Sequence, residues 1–279
     1  MPSNSPTLWI VATPLGNPGD LSPRAREVLT AVDLVLAEDT RRAGKLFELV
    51  GLTGPGFLSF HEHNEQARLQ TVLGHLGQGQ DAALISDAGT PLVADPGYRL
   101  VRACREAGYA VRPVPGPSAP VTALMASGLP PYPFTFLGFL PRKVGQQRQI
   151  WRQYGGLPCT IVFFERKSRL VETLAVAASE LGSRELCLAR ELTKTHEEFI
   201  ITRLDRWASL DREWRGEFTV VIGPAEEQVA STEEARAWLK RASDEGGRPK
   251  AIVRSAQEHV PGWSAKALYE LLMQLQGKE

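Results

Sequence analysis

The chain has 279 residues, 43% hydrophobic and 23% charged, enough for two compact domains with true cores and a small appendage. Its 32 Lys and Arg balance 32 Asp and Glu, so any grip on nucleic acid must come from a local basic face rather than from the whole surface. Met1 to Ser5 lack the basic-then-apolar pattern of a signal peptide, and no apolar run approaches the roughly 20 residues that a membrane span needs.

Residues 8–12 read as a buried strand, followed by the loop Thr13-Pro14-Leu15-Gly16-Asn17-Pro18-Gly19-Asp20. Ser22-Pro23 is an N-cap with proline at the first helical position, opening a helix to about residue 31. Strand 34–37 ends in Glu38-Asp39-Thr40-Arg41-Arg42, and a helix runs to about 50. Strand 57–60 ends in His61-Glu62-His63-Asn64-Glu65, and a helix follows over 65–76. Strand 82–85 leads to Ser86-Asp87-Ala88-Gly89-Thr90-Pro91 and a helix over 96–107, which Gly108 stops. Strand 111–114 ends in Pro115-Gly116-Pro117-Ser118-Ala119 and a helix to 127. This strand, loop, helix rhythm predicts an α/β domain with a mostly parallel sheet.

The proline-rich run 128–133 stiffens the chain and marks a linker. A second α/β rhythm follows, with strands at 134–137, 160–164, 186–189, 198–201 and 218–222 and helices at 146–154, 168–181 and 204–210. After Gly223-Pro224 the pattern predicts helices at 232–242, about 249–258 and 264–275. This is either a helix-turn-helix-sized module or a helical cap. The domains are therefore drawn at 1–129, 130–226 and 227–279. Cys104, Cys159 and Cys187 stand far apart in apolar stretches and read as small buried hydrophobes of a cytoplasmic chain.

The polar bursts fall where strands end, and in an open α/β sheet ligands sit beyond those ends. All five bursts, 14–20, 38–42, 61–65, 87–91 and 115–119, are thus expected to converge on one cleft. No Gly-x-Gly-x-x-Gly follows the first strand and no glycine-rich loop ends in Gly-Lys-Ser/Thr, which disfavours a dinucleotide or phosphate cradle. Glycine-proline loops without an adjacent lysine suit a nucleoside gripped by backbone, although plain turn chemistry uses the same residues.

Seven segments carry a resemblance: Val11-Ala12-Thr13-Pro14-Leu15-Gly16-Asn17, Ala37-Glu38-Asp39-Thr40-Arg41, His61-Glu62-His63-Asn64-Glu65, the run from Ser86 to Gly97, Pro115-Gly116-Pro117-Ser118-Ala119, Gly138-Phe139-Leu140-Pro141, and Ala189-Arg190-Glu191-Leu192-Thr193-Lys194. In order and spacing the chain resembles, from about residue 8 to its end, the tetrapyrrole-methylase superfamily, in the branch that methylates small-subunit ribosomal RNA. The resemblance implies a two-domain α/β fold with a small C-terminal helical module. It implies S-adenosylmethionine in the cleft, a homodimer, and methylation of a cytidine ribose 2′-hydroxyl in the decoding region of 16S rRNA on 30S subunits. The wider superfamily reads Gly-Asp-Pro where this chain has Gly89-Thr90-Pro91, as in the RNA branch. By position, the cofactor contacts fall at Leu15, Asp87, Ala88, Gly89, Thr90, Val93, Ser118, Ala119, Phe164, Glu165 and Leu192. Phe164-Glu165-Arg166-Lys167-Ser168 carries two basic residues where a neutral turn is expected.

A sulfonium donor is already activated, so the protein must align the reactants, exclude water and accept the hydroxyl proton. Asp39 and Glu191 rank first as proton acceptors. Asp39 reads equally well as a salt-bridge partner or a helix N-cap, and Glu191 as a partner of Lys194. His61 and His63 lack a third ligand, so no metal is expected and hydrogen bonding to RNA is the better reading. Arg41, Arg42, Arg142, Lys143 and Lys194, with His61 and His63, are the substrate-binding candidates. Arg166-Lys167 and Arg248-Lys250 are further basic clusters, Tyr132, Phe134, Phe136 and Phe139 could stack on bases, and Lys266 and Tyr269 could help dock the ribosomal subunit. The competing readings are a methylase of a corrinoid or porphyrin precursor and a non-enzymatic RNA-binding protein.

Overall fold

A computed structural model describes residues 6–225 and 230–277. The chain divides into two compact units, Met1–Pro224 and Ala225–Glu279.

The first unit begins with β1 (Thr7–Val11), α1 (Pro23–Ala31), β2 (Leu34–Ala37), α2 (Thr40–Leu49), β3 (Gly56–Ser59), α3 (Glu65–Gly77), β4 (Ala82–Ile85), α4 (Tyr98–Glu106), β5 (Ala110–Val114) and α5 (Ala119–Ser127). The five strands form one all-parallel sheet in the order β3-β2-β4-β1-β5. Its strands are near-continuously apolar because both faces are covered. Val35, Ala37, Ala83 and Ile85 face α1 and α2 through Ala25, Leu29, Ala43 and Phe47. The alternate residues Leu36, Ala82 and Leu84 face Val72 and Leu76 of α3 and Leu100 of α4. Ser22 caps α1 by accepting the Ala25 N–H at 3.1 Å, with proline at the first helical turn as its sequence predicts. Burial pushes the thiols of Cys104 and Cys187 up to about 11, so both remain unreactive core residues.

The chain continues with β6 (Phe134–Phe139), α6 (Val144–Tyr154), β7 (Thr160–Arg166), α7 (Lys167–Leu181), β8 (Glu185–Arg190), β9 (Glu198–Arg203) and β10 (Glu217–Ile222). Their order is β6-β7-β10-β8-β9, with β6 and β7 parallel and every other pairing antiparallel. The expected helix at 204–210 is a single 3-10 turn, Trp207–Ser209. Its start is pinned elsewhere: the Leu204 N–H donates to the Arg184 carbonyl, and the Asp205 carboxylate accepts the Ser183 hydroxyl. β8 and β9 are joined by the short segment 191–197, too short for a crossover helix, and pair antiparallel. A second difference is that β7 runs to Arg166 and passes directly into α7, so the expected turn at 164–168 is strand and helix start.

One face of this second sheet packs on Trp151 of α6 and on Leu170 and Leu174 of α7. The other face, Val162, Cys187, Ala189 and Val221, packs on Ala123 and Leu124 of α5. The last helix of the first half thus covers the sheet of the second, fastening the two together.

In the second unit, α8 (Thr232–Asp244), α9 (Pro249–His259) and α10 (Ala265–Leu275) enclose Leu239, Ala256, Leu268 and Leu272. A reciprocal capping box joins Ser231 and Glu234 at the start of α8. No helix among the described residues is long and apolar enough to cross a membrane.

Candidate active site

Parallel pairing puts the carboxyl ends of β1 to β5 at one edge of the first sheet. In the second sheet β6, β7 and β8 run the same way, so Phe139, Arg166 and Arg190 also share an edge. The two edges meet. The Asn17 N–H, in the loop after β1, donates to Thr193 Oγ1 in the loop after β8 at 3.1 Å. Gly16 lies so close to Lys194 Cγ that no Cβ could stand there, and a side chain at this position would also approach the Leu192 carbonyl at 3.3 Å.

On the first-sheet side the loops are stitched by backbone. Thr13 and Gly89 exchange N–H···O bonds of 2.9 and 3.1 Å. Ser86 Oγ donates to the Gly89 carbonyl at 2.9 Å, and Thr90 Oγ1 donates to the Pro117 carbonyl at 2.9 Å. Gly89 has φ +81°, and a Cβ there would come within 2.9 Å of Leu15 Cδ2. A Cβ on Gly116 would meet that of Ala12 at 2.9 Å. Close approach requires both glycines, and backbone geometry requires Gly89 as well. Ser118, at the N-cap of α5, makes no side-chain cap, leaving the first-turn N–H groups of the helix without a side-chain acceptor.

Asp87 joins the loop after β4 to that after β2. Its carboxylate accepts the Asp39 N–H at 3.3 Å and pairs with Arg42 at 3.0 Å. Asp39 caps α2, accepting the Arg41 N–H at 2.9 Å, while both carboxylate oxygens hold the Arg41 guanidinium at 3.0 and 2.7 Å. That guanidinium holds the Asp39 carboxyl well below the usual carboxylate range. Glu191 is held ionised too: burial alone would raise its pKa, but the Glu217 N–H at 2.8 Å and Lys194 at 3.3 Å outweigh burial and lower it. Lys194 Nζ also reaches Glu217 at 2.9 Å. Burial alone would lower the pKa of Lys194, and the two carboxylates reverse that and raise it.

Asp95, which residue-by-residue reading of the sequence does not single out, is the contrasting carboxyl. Partial burial, then the nearby charges of Glu38 and Asp87, push it up to about 6. It lies in the Ser86 to Gly97 run, but the acids that add to the effect of burial stand at the ends of two strands. No local pattern announces it.

Leu15, Ala119 and Leu192 share one apolar cluster that joins α5 and the loop after β1 to the second sheet. Asp87, Ala88, Gly89, Thr90 and Ser118 lie in the stitched loops, and Val93 is exposed beside them in sequence. Phe164 meets Phe136 edge-on at 4.9 Å and Phe139 at a tilt at 5.4 Å. The Glu165 side chain is buried and engaged with β7 and α7, accepting the Thr173 hydroxyl at 2.7 Å and the Arg166 N–H at 2.9 Å and lying 3.4 Å from Arg169. His61 and His63, with ring centroids 6.0 Å apart, follow the edge strand β3. The hydrogen bonds of His61 stay within its own turn, to Asn64, so four of the five expected loops are in direct contact and this one keeps to the sheet edge. Arg142 and Lys143 are exposed at the entry to α6. No metal-holding group of His, Cys, Asp and Glu is found among the described residues.

Three non-glycine residues adopt left-handed backbone: Leu92 (φ 70°), Glu191 (φ 50°) and Thr193 (φ 62°). All three stand in the loops just described, and a β-branched residue there is under strain. Such strain persists where surrounding contacts over-determine it, as the Asn17 and Glu217 bonds do here.

Residues 7–208 match the profile of the tetrapyrrole (corrin/porphyrin) methylases. The chain is 43% identical over 274 residues to ribosomal RNA small subunit methyltransferase I of Micromonospora olivasterospora, covering 96% of this chain and 87% of the relative. It is 42% identical over 276 residues to the protein of the same name from Escherichia coli O157:H7, covering 97% and 96%. Among solved structures, diphthine synthase matches with TM-score 0.63 at 15% identity, over 78% of this chain and 90% of that one. Uroporphyrin-III C-methyl transferase from Thermus thermophilus, complexed with S-adenyl homocysteine, matches with TM-score 0.56 at 18% identity, over 78% and 97%.

Proposed function

The chain belongs to the tetrapyrrole methylase family and, within it, to the ribosomal RNA small subunit methyltransferase I group, and from that membership we propose that it methylates 16S rRNA with S-adenosylmethionine. The acceptor is a cytidine ribose 2′-hydroxyl in the decoding region, reached on 30S subunits by a cytoplasmic homodimer. The observation that carries this reading is identity above 40% along nearly the whole chain, C-terminal helices included, with relatives named for that RNA.

The residues at the seam fit the cofactor. Gly89 and Gly116 leave a cradle that a Cβ would fill, Leu15, Ala119 and Leu192 offer an apolar wall for a nucleoside, and the uncapped start of α5 offers N–H donors. When bound, S-adenosylmethionine supplies a methyl group on a sulfonium, ready for in-line displacement. The protein holds the ribose in line, excludes water and takes the hydroxyl proton. Asp39 and Glu191 are engaged with cations and serve best by fixing Arg41 and Lys194 towards RNA phosphate. Asp95 carries no ion pair among the described residues and stands in the loop after β4 within electrostatic reach of Glu38 and Asp87 at the strand ends, and we assign the proton to its carboxylate. The exposed Val121 and Met125, one turn apart on α5, offer an apolar face to a second copy.

The test is incubation with methyl-labelled S-adenosylmethionine and, in parallel, 30S subunits, naked 16S rRNA and a tetrapyrrole precursor. Label on a cytidine ribose 2′-oxygen is expected. Label on the macrocycle, or RNA binding with no transfer, overturns the assignment.

A further inference from the structure

Within the second unit, α9 and α10 enclose an open groove of about 550 Å³ lined by Lys250, Val253, Arg254, Gln257, Lys266 and Tyr269, with Ala265 at its edge. Lys250 and Arg254 are one turn apart on α9, so their side chains project from one face. Lys266 and Tyr269 stand on the first two turns of α10. All four are exposed, Tyr269 at 41% of its surface, beside the apolar side chains of Val253 and Ala265.

The charge of this groove is local. The chain as a whole balances 32 cations against 32 anions, yet three cations and no acid line the groove. Glu270 lies 4.0 Å from Lys266, at the outer limit of an ion pair between two exposed groups, which leaves the ammonium available. Cations on both walls can straddle a phosphate backbone, an exposed phenol ring between them can stack an unpaired base, and the Gln257 amide can donate and accept on a base edge. An acidic peptide would satisfy the cations but would leave the aromatic face unused. The tetrapyrrole-methylase profile ends at residue 208, and the diphthine synthase and uroporphyrin enzyme structures cover 78% of this chain. Relatives named for ribosomal RNA cover 96–97% of it.

We propose that the α9–α10 groove binds single-stranded ribosomal RNA, its backbone on Lys250, Arg254 and Lys266 and one base on Tyr269. This rests on the reading of RNA as substrate and adds a docking site outside the methyl-transfer seam.

The test uses the full chain with S-adenosylhomocysteine bound, titrated with naked 16S rRNA and, separately, with 30S subunits over a salt series. The variant K250A/R254A/K266A is expected to weaken naked-RNA binding at least about tenfold and to flatten the slope of log Kd against log salt by about 2 to 3. Affinity for S-adenosylhomocysteine should not move. Tyr269→Ala should weaken binding about fivefold or more with the salt slope kept, and Tyr269→Phe should restore it. Unchanged RNA affinity and slope in the triple variant, with wild type still methylating 16S rRNA, overturns the groove assignment alone. Wild-type protein that neither binds nor methylates RNA overturns the substrate reading as well. Loss confined to 30S subunits, with naked-RNA binding unchanged, marks a ribosomal protein as the partner and overturns this proposal.

Discussion

The two sheets reach the same seam by different means. The parallel sheet delivers its loops through backbone contact: Thr13 pairs with Gly89, Thr90 holds the Pro117 carbonyl, and Gly89 and Gly116 leave no room for side chains. The mostly antiparallel sheet delivers a strained, charged loop in which Glu191, Lys194 and Glu217 lock one another and Thr193 takes the Asn17 N–H. The first arrangement shapes a surface through close backbone approach. The second sets charge and orientation, so substitutions on the two sides should fail differently.

The largest effect is expected on the parallel-sheet side, at Asp95. Asp95→Asn should lower turnover about 100-fold or more with affinity for S-adenosylhomocysteine kept. Because the carboxylate is the active form, wild-type turnover should rise with pH through about 6 and then level, and the variant should lose that limb. The same group tests stability with a definite sign. Its pKa is raised on folding from 3.8, so the stability it contributes is complete below that value and lost as pH rises through about 6. Asp95→Asn should therefore be more stable than wild type at pH 7.5, by less than about 3 kcal/mol because solvent screens a partly exposed group, and match it near pH 3.5. A lower melting temperature for the variant at pH 7.5 would place Asp95 in a structural hydrogen bond instead.

Next comes the backbone cradle. Gly89→Val puts a β-branched residue at φ +81° against Leu15. Binding of S-adenosylhomocysteine, read by calorimetry, should fall about 100-fold. On the charged side, Lys194→Met leaves Glu191 and Glu217 facing each other. It should cost about tenfold in turnover at saturating RNA while cofactor binding changes little. Equal loss of cofactor affinity in both variants would erase the distinction between the sheets. The smallest effect is expected at Asp39→Asn. Asparagine still caps α2, and the Arg41 pair is exposed, so turnover and melting temperature should stay near wild type. A large fall in turnover would return Asp39 to the role of proton acceptor.

The first sheet was legible because each parallel strand needs a crossover helix, and helix starts such as Ser22-Pro23 announce themselves in local chemistry. The second was less so. Leu204 and Asp205 form their bonds with Arg184 and Ser183 on a neighbouring segment, and that long-range choice removed the helix that pattern favoured. Gly16 reads as a turn glycine, yet its constraint comes from Lys194 far along the chain. Glu191 and Thr193 are ordinary residues whose left-handed backbone no sequence rule requires. Asp39 shows the opposite case, where the cap and salt-bridge reading was open from the start and the structure displays both contacts.

Amide hydrogen exchange of the full chain with and without S-adenosylhomocysteine tests most directly whether both sheets build one site. Slowed exchange is expected together in residues 87–93, 116–122 and 190–194. Slowing confined to one sheet's loops, or found in neither, would contradict a shared seam.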